Sequence, residues 1–263
     1  MNQPAIPADV QALIEGSGNT FHAKVAQFLK DKGWLVRISP YYLDQTQGKA
    51  REIDLIAEKA WSVTGYMDSK IHDEVIVRLF VECKFVSSNC VLWLADKDRA
   101  SAQSLVYDTW PFRENNAFTK DHHYLAQCPR VAKTFASDKR GNEYEWMYKA
   151  LNQVLHARIA MENHALMSPC RGPRSAPIVL NYPVIACSSF DKFYETSFFG
   201  GSATSRVEDN FQLEVQYAYV DDTNGDRRDQ YFLIDVVEFN RLNDFIASVE
   251  KDADLAVSMV EPT

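Results

Sequence analysis

The sequence predicts an α/β fold in which a mixed β-sheet is flanked by helices on both faces. From Val77 to Phe85 every second residue is apolar, which is the period of a strand with one face in a core. The segment from Ile178 to Cys187 is almost continuously apolar, as in a strand buried on both faces. Phe21, Val25 and Leu29 form the apolar stripe of an amphipathic helix. Strands and helices mixed in this way favour an α/β architecture.

The remaining elements follow from the same patterns along the chain. The first helix is predicted from Phe21 to Lys32, and Gly33 can end it in a left-handed turn. Further strands are predicted at Trp34–Ile38, Arg51–Ala57, Phe211–Tyr219 and Tyr231–Phe239, and further helices at Asp96–Trp110, Glu143–Ala165 and from Leu242 onwards. Val91–Leu94 is a short apolar run.

Four polar stretches are predicted to lack regular structure or to interrupt it. Tyr41–Ala50 is expected to be a loop, and Glu58–Glu74 is long enough to form a substrate-contacting flap. Pro169–Pro177 has the composition of a linker. The acidic tail from Glu250 to Thr263 is expected to fray.

Composition limits the class of protein. The chain of 263 residues is 46% hydrophobic, which is enough for a substantial core. We predict a single domain over residues 1–263, with a core at about 18–188 and with the strands and helix of 189–250 extending the same sheet. No secretory signal or membrane span is visible, and the five cysteines include no CxxC pair. These features predict a cytoplasmic protein with free thiols.

Three charged residues are the candidate functional group of the sequence. Glu82 and Lys84 lie two residues apart on the predicted strand and therefore project from the same face, roughly 6.5–7 Å apart. If this strand pairs with Arg51–Ala57, Asp54 can meet Glu82. Two carboxylates on a largely apolar hairpin repel each other and lose solvation unless a ligand uses them.

A divalent cation would resolve this repulsion. Carboxylate oxygens suit Mg²⁺, which is usually held by one or two carboxylates together with a substrate phosphate. Such an ion lowers the pKa of bound water and neutralises charge that develops at phosphorus. Lys84 would orient the attacking water or stabilise the pentacoordinate phosphate. The group therefore predicts hydrolysis of phosphodiesters.

The same residues resemble a known family. Ile53-Asp54 followed by Glu82-Cys83-Lys84, with a helix running into Gly33-Trp34 upstream, is similar to the PD-(D/E)XK nuclease superfamily, which includes restriction-endonuclease-like, Holliday-junction-resolvase-like and Mrr-like enzymes. The resemblance covers residues 18–110. It implies a restriction-endonuclease-like fold, Asp54 and Glu82 as ligands of Mg²⁺ or Mn²⁺, the backbone carbonyl of Cys83 as a third ligand, and Lys84 as the catalytic lysine.

The sequence departs from the family pattern at two positions. Ile53 stands where the name-giving proline would be, and His22 stands where many relatives have a glutamate on the first helix. His22 is either an ordinary helix histidine or a ligand that would favour Mn²⁺ or another transition metal over Mg²⁺. Glu15 is another source of the missing carboxylate.

Two further pairs of polar residues stand out in the sequence. Gln103 and Tyr107 share a helix face and resemble the Gln-x-x-x-Tyr pair of the RecB-like branch, which makes Gln103 a candidate for positioning substrate. His122-His123 has no partner at ligand spacing and is expected to be a pair of loop residues.

The predicted function is metal-dependent hydrolysis of nucleic acid, DNA rather than RNA. The net charge of −8 argues against indiscriminate coating of nucleic acid, but it leaves room for a local basic surface. Cutting both strands of a duplex requires two sites, which a homodimer would supply. Two alternatives stay open: a nuclease fold without turnover that binds nucleic acid or a protein, and hydrolysis of a small nucleotide.

Overall fold

The computed structural model describes residues 6–44, 48–63, 74–114, 116–137, 146–161, 177–200, 203–220 and 227–260. The helices in these ranges are α1 (Ala8–Gly16), α2 (Asn19–Asp31), α3 (Arg99–Tyr107), α4 (His123–Ala126), α5 (Trp146–Met161) and α6 (Leu242–Val260). The strands are β1 (Leu35–Ile38), β2 (Tyr41–Asp44), β3 (Lys49–Glu52), β4 (Leu55–Ser62), β5 (Glu74–Lys84), β6 (Cys90–Asp96), β7 (Arg130–Ser137), β8 (Ile178–Cys187), β9 (Phe193–Ser197), β10 (Ser205–Arg206), β11 (Phe211–Val220) and β12 (Arg227–Glu238).

Ten of these strands form one mixed sheet, in the order β1-β4-β5-β8-β12-β11-β7-β6-β9-β10. β4 is antiparallel to both β1 and β5, whereas β5, β8 and β12 run parallel to one another. The predicted α/β architecture with a mixed sheet is therefore confirmed. β11 and β12 lie in the same sheet as β4 and β5, although they follow residue 188 in the chain.

Helices cover both faces of the sheet. Val77 and Val81 of β5 belong to a core that also includes residues of α2, α3 and α6. Phe80 belongs to a second core on the opposite face, which α5 covers. Arg78 on that face is also buried. The prediction that only one face of β5 lies in a core was therefore wrong, because α5 shields the face that carries the charged residues.

The strand predicted over Arg51–Ala57 is interrupted at its centre. β3 ends at Glu52, and β4 begins at Leu55. Between them, the Asp54 carbonyl accepts a hydrogen bond from the Ser39 N–H at 2.8 Å. The main chain thus leaves one sheet and enters another at Asp54, and this fixed bend determines where the aspartate side chain points.

The prediction of a loop over Tyr41–Ala50 was also wrong. β2 and β3 pair as an antiparallel two-stranded sheet within this segment, and residues 45–47 lie outside the described ranges. Tyr42 is buried, and its hydroxyl donates to the Gln153 carbonyl of α5 at 3.2 Å. The polar sequence gave no strand signal because the segment is stabilised by contact with a helix about a hundred residues away along the chain.

The tail predicted to fray is helical as far as Val260. Asp252, Ala253 and Ala256 of α6 are fully buried, so the helix continues along the core instead of ending in solvent. The prediction of a flap was wrong for Glu58–Ser62, which belong to β4. Residues 64–73 of the predicted flap and most of the predicted linker lie outside the described residues. Among the described helices, none combines the length and apolar character needed to cross a membrane.

Candidate active site

Asp54 and the end of β5 meet where two strands pair. Leu55 of β4 pairs with Val81 of β5, so Asp54 lies directly before the paired region and beside Glu82. The Cys83 N–H donates to Asp54 Oδ2 at 2.7 Å. This hydrogen bond holds the Asp54 carboxylate against the backbone of the strand that carries Glu82 and Lys84.

Glu82 and Lys84 form an ion pair on the same face of β5. Lys84 Nζ donates to Glu82 Oε2 at 2.7 Å, and the exposed fractions of the two side chains are 20% for Lys84 and 0% for Glu82. The second carboxylate oxygen, Glu82 Oε1, is buried and has no hydrogen-bond partner among the residues that the structure describes. A buried carboxylate oxygen without a donor is costly, which marks it as a place for a ligand.

The charges of the site are strongly coupled. Burial raises the pKa of Glu82 to about 7, against the attraction of Lys84, and the nearby Asp54 carboxylate raises it further. Burial acts to lower the pKa of Lys84, but the attraction of Glu82 outweighs it and the pKa lies above its usual value. Lys84 is therefore a cation at neutral pH, as a group that stabilises negative charge must be.

Cys83 contributes its backbone to the site and its side chain to the core. Burial raises the pKa of the Cys83 thiol well above its usual value, so the sulfur is a poor nucleophile. The Cys83 N–H points to Asp54, whereas the Lys84 carbonyl accepts from the Ser188 N–H on the opposite edge of β5. Because neighbouring residues turn their backbone groups to opposite edges of a strand, the Cys83 carbonyl lies on the Asp54 side.

His22 lies on α2 and contacts the site at the main-chain carbonyl of Asp54. Its Nε2 donates to the Asp54 carbonyl at 2.8 Å, and the side chain is half-buried. A nitrogen that donates to a carbonyl carries a proton and has no lone pair for a metal. The structure therefore places His22 beside Asp54 as a support of the bend, with only Nδ1 left as a nitrogen that can bind a metal. The Glu15 side chain lies outside the described part of the chain.

Gln103 is not brought to this site. It is exposed on α3 and lines a separate cavity of about 550 Å³ together with Lys97, Arg99 and Tyr107. Asp54, Glu82 and Lys84 are not among the described residues that line this cavity. The shared helix face of Gln103 and Tyr107 was predicted from their spacing, but which surface that face meets depends on the packing of α3.

The donor atoms at the site are oxygens. Asp54 and Glu82 supply carboxylate oxygens, the Cys83 carbonyl lies on the Asp54 side of β5, and Glu82 Oε1 lacks a partner among the described residues. Oxygen donors of this kind suit Mg²⁺ or Mn²⁺. Within the described ranges, no group of three or more His, Cys, Asp and Glu side chains is arranged to hold a metal. The fit therefore depends on two carboxylates and one backbone carbonyl.

A buried polar cluster lies away from these residues. His123, expected to be a loop residue, is buried with His122 at the start of α4, and its Nε2 donates to Asp235 Oδ1 at 2.8 Å. The backbone N–H of His123 donates to Asp252 Oδ1 at 2.9 Å, and the Tyr182 hydroxyl donates to Asp252 Oδ2 at 2.6 Å. The adjacent histidines were the signal in the sequence, but their partners come from β8, β12 and α6.

Replacing His22 by alanine should weaken the binding of a divalent cation at Asp54, which the sequence predicts as a metal ligand. The hydrogen bond to the Asp54 carbonyl would be lost, and the bend that aims the carboxylate would loosen. Loss of such an outer contact typically lowers metal affinity by about 10–100-fold. We expect a corresponding rise in the dissociation constant for Mn²⁺, measured by calorimetric titration. Lys30→Ala is the control, because Lys30 is exposed at the other end of α2. Equal Mn²⁺ binding curves for His22→Ala and Lys30→Ala would contradict this role of His22.

No protein-family model, no curated protein and no solved structure matches this chain. The class of protein is therefore inferred from the fold and from the geometry of Asp54, Glu82 and Lys84.

Proposed function

We propose that this protein is a metal-dependent nuclease of the PD-(D/E)XK type with a restriction-endonuclease-like fold. One observation carries the proposal: Asp54, Glu82 and Lys84 lie together at the carboxyl end of β5, where one buried oxygen of Glu82 has no partner within the described ranges. The ends of β8 and β12 lie beside the same end of β5, and ligands of open α/β sheets bind outside the carboxyl ends of their strands.

Each residue has a separate role in the proposed hydrolysis. Asp54, held by the Cys83 N–H, and Glu82 would hold Mg²⁺ or Mn²⁺, with the Cys83 carbonyl as a third ligand. When bound, the ion would lower the pKa of a water molecule and neutralise charge on the phosphate. The Lys84 ammonium, oriented by Glu82, would donate to the attacking water or to a phosphate oxygen. Water adds to phosphorus and loses a proton, the bond from phosphorus to the leaving deoxyribose oxygen breaks, and that oxygen takes up a proton.

The proposed substrate is DNA rather than RNA, and the proposed location is the cytoplasm. A homodimer would supply the second site needed to cut both strands of a duplex. The net charge of −8 means that binding depends on a local surface at the site and not on the protein as a whole.

A panel of labelled nucleic acids tests the proposal. We expect linear, nicked, branched or single-stranded DNA to be cleaved in Mn²⁺ or Mg²⁺, and no cleavage in EDTA, because the carboxylates alone cannot activate water. RNA of the same sequences should be cleaved more slowly. Cleavage that continues unchanged in EDTA, or no cleavage of any member of the panel in either metal, would rule the proposal out.

A binding module without turnover is the second candidate. It is favoured by the ion pair between Lys84 and Glu82, because the lysine can neutralise this carboxylate without a metal ion. Calorimetric titration with Mn²⁺ separates the two candidates. A nuclease should bind Mn²⁺ at millimolar concentration or below, and the Asp54→Asn variant should bind it more weakly. Nucleic-acid binding without any binding of Mn²⁺ would favour the module.

A further inference from the structure

A cavity of about 460 Å³ opens at the carboxyl end of β5, and Asp54, Glu82 and Lys84 are not among the described residues that line it. Its walls come from the start of α2, from the segment after β5, from the turn after β8 and from the turn after β12. We call it the aromatic pocket, and its defining residues are Phe21, Lys24, Phe85, Ser188, Lys192 and Phe239.

The aromatic pocket is fixed in position relative to the catalytic lysine. Phe85 directly follows Lys84, and the Ser188 N–H donates to the Lys84 carbonyl at 3.0 Å. The Ser188 hydroxyl in turn accepts from the Val86 N–H at 3.0 Å. The wall is therefore tied by two hydrogen bonds to the end of the strand that carries Glu82 and Lys84.

The lining of the pocket combines aromatic rings with positive charge. Phe21 and Phe239 meet edge to face, with ring centroids 5.8 Å apart. Phe85 is 63% exposed, which leaves its ring accessible to a ligand. Lys24 and Lys192 add two positive charges to the lining, against one negative charge from Asp191. Rings with adjacent cations are the features that hold the bases and the phosphates of a single strand.

We propose that the aromatic pocket receives an unstacked nucleobase of the strand that is cut, so that the preferred substrate is single-stranded. This inference rests on the proposed nuclease function and adds the substrate class. Phe85 stacks on the base, and Lys24 and Lys192 contact the flanking phosphates. A base within a closed duplex is stacked on both sides and would have to be flipped out before it could enter. A single strand offers its base faces without that step.

Phe85→Ala tests the pocket, and Phe199→Ala is the matched control because Phe199 is 82% exposed and does not line the pocket. Stacking of one base on an aromatic side chain corresponds to a factor of about ten or more in affinity. We expect Phe85→Ala to raise KM for a single-stranded oligonucleotide about tenfold with little change in kcat. Phe85→Trp should restore the wild-type KM, and Phe199→Ala should have no effect.

Binding is measured separately, by fluorescence anisotropy of labelled single-stranded and duplex oligonucleotides in EDTA. We expect tighter binding of the single strand and a loss of about tenfold in Phe85→Ala, because stacking on Phe85 does not require the metal. Equal binding of both forms, together with identical behaviour of Phe85→Ala and Phe199→Ala, would overturn it. That result leaves the nuclease proposal intact if Lys84-dependent cleavage is still seen, so the two proposals fail separately.

Discussion

Replacing Lys84 by alanine is expected to lower the rate of metal-dependent cleavage by about 10²–10³-fold or more. The Lys84 ammonium is the cation at the site, and its distance of 2.7 Å from Glu82 fixes where its positive charge lies. Its partial exposure of 20% leaves it accessible to a phosphate. Without it, the negative charge of the pentacoordinate phosphate would lose its stabilising donor.

Companion variants separate catalysis from folding. Lys84→Ala leaves the buried Glu82 without its cation, so Lys84→Arg, which keeps the charge, and the isosteric Asp54→Asn are measured in parallel. Both should lose activity while their unfolding curves stay close to the wild type. Lys59→Ala removes a lysine of the neighbouring strand β4 that pairs with Glu250 at 2.8 Å, and it should remain active. Wild-type activity in both Lys84→Ala and Asp54→Asn would show that the site is assigned wrongly.

Replacing Asp252 by alanine is expected to lower the free energy of unfolding by about 3 kcal/mol or more. Asp252 is fully buried, and it accepts hydrogen bonds from the Tyr182 hydroxyl and from the His123 N–H. Alanine would leave both donors buried without an acceptor. A loss of this size is a large part of the roughly 5–15 kcal/mol that stabilises a typical domain.

Urea unfolding followed by circular dichroism measures this loss. Asp254→Ala is the control, because Asp254 lies on the same helix but is exposed, and a change there should stay within about 0.5 kcal/mol. Asp252→Asn keeps one acceptor oxygen and should be destabilised less than Asp252→Ala. If Asp252→Ala unfolds at the same urea concentration as Asp254→Ala, the buried cluster does not stabilise the fold.

The elements with strong apolar patterns were predicted closely. The helix ending before Gly33 corresponds to α2, and the apolar run Ile178–Cys187 has the bounds of β8. The helix expected around Met147 and Leu151 corresponds to α5 within the described ranges. In each case the side chains that give the pattern are the ones that the core buries, so local sequence and tertiary packing agree.

The errors share a different cause. The β2–β3 hairpin, the bend at Asp54 and the helical end of α6 were missed because they depend on partners far away in the chain. Tyr42 contacts α5, the Asp54 carbonyl contacts Ser39 and His22, and Asp252 contacts the start of α4. Polar residues give no periodic signal of such contacts, since the sequence does not show which donor will meet which acceptor.

The sequence by itself determined that Glu82 and Lys84 share one face of a strand, because side chains of a strand alternate with a period of two. It also determined the order of the main strands and helices. Only the tertiary structure decided that Glu82 is fully buried with one carboxylate oxygen unpaired among the described residues, that Asp54 lies at a bend that His22 contacts, and that Gln103 lines another cavity. These features depend on how distant segments pack and satisfy each other's polar groups, and periodicity along the chain carries no information about that.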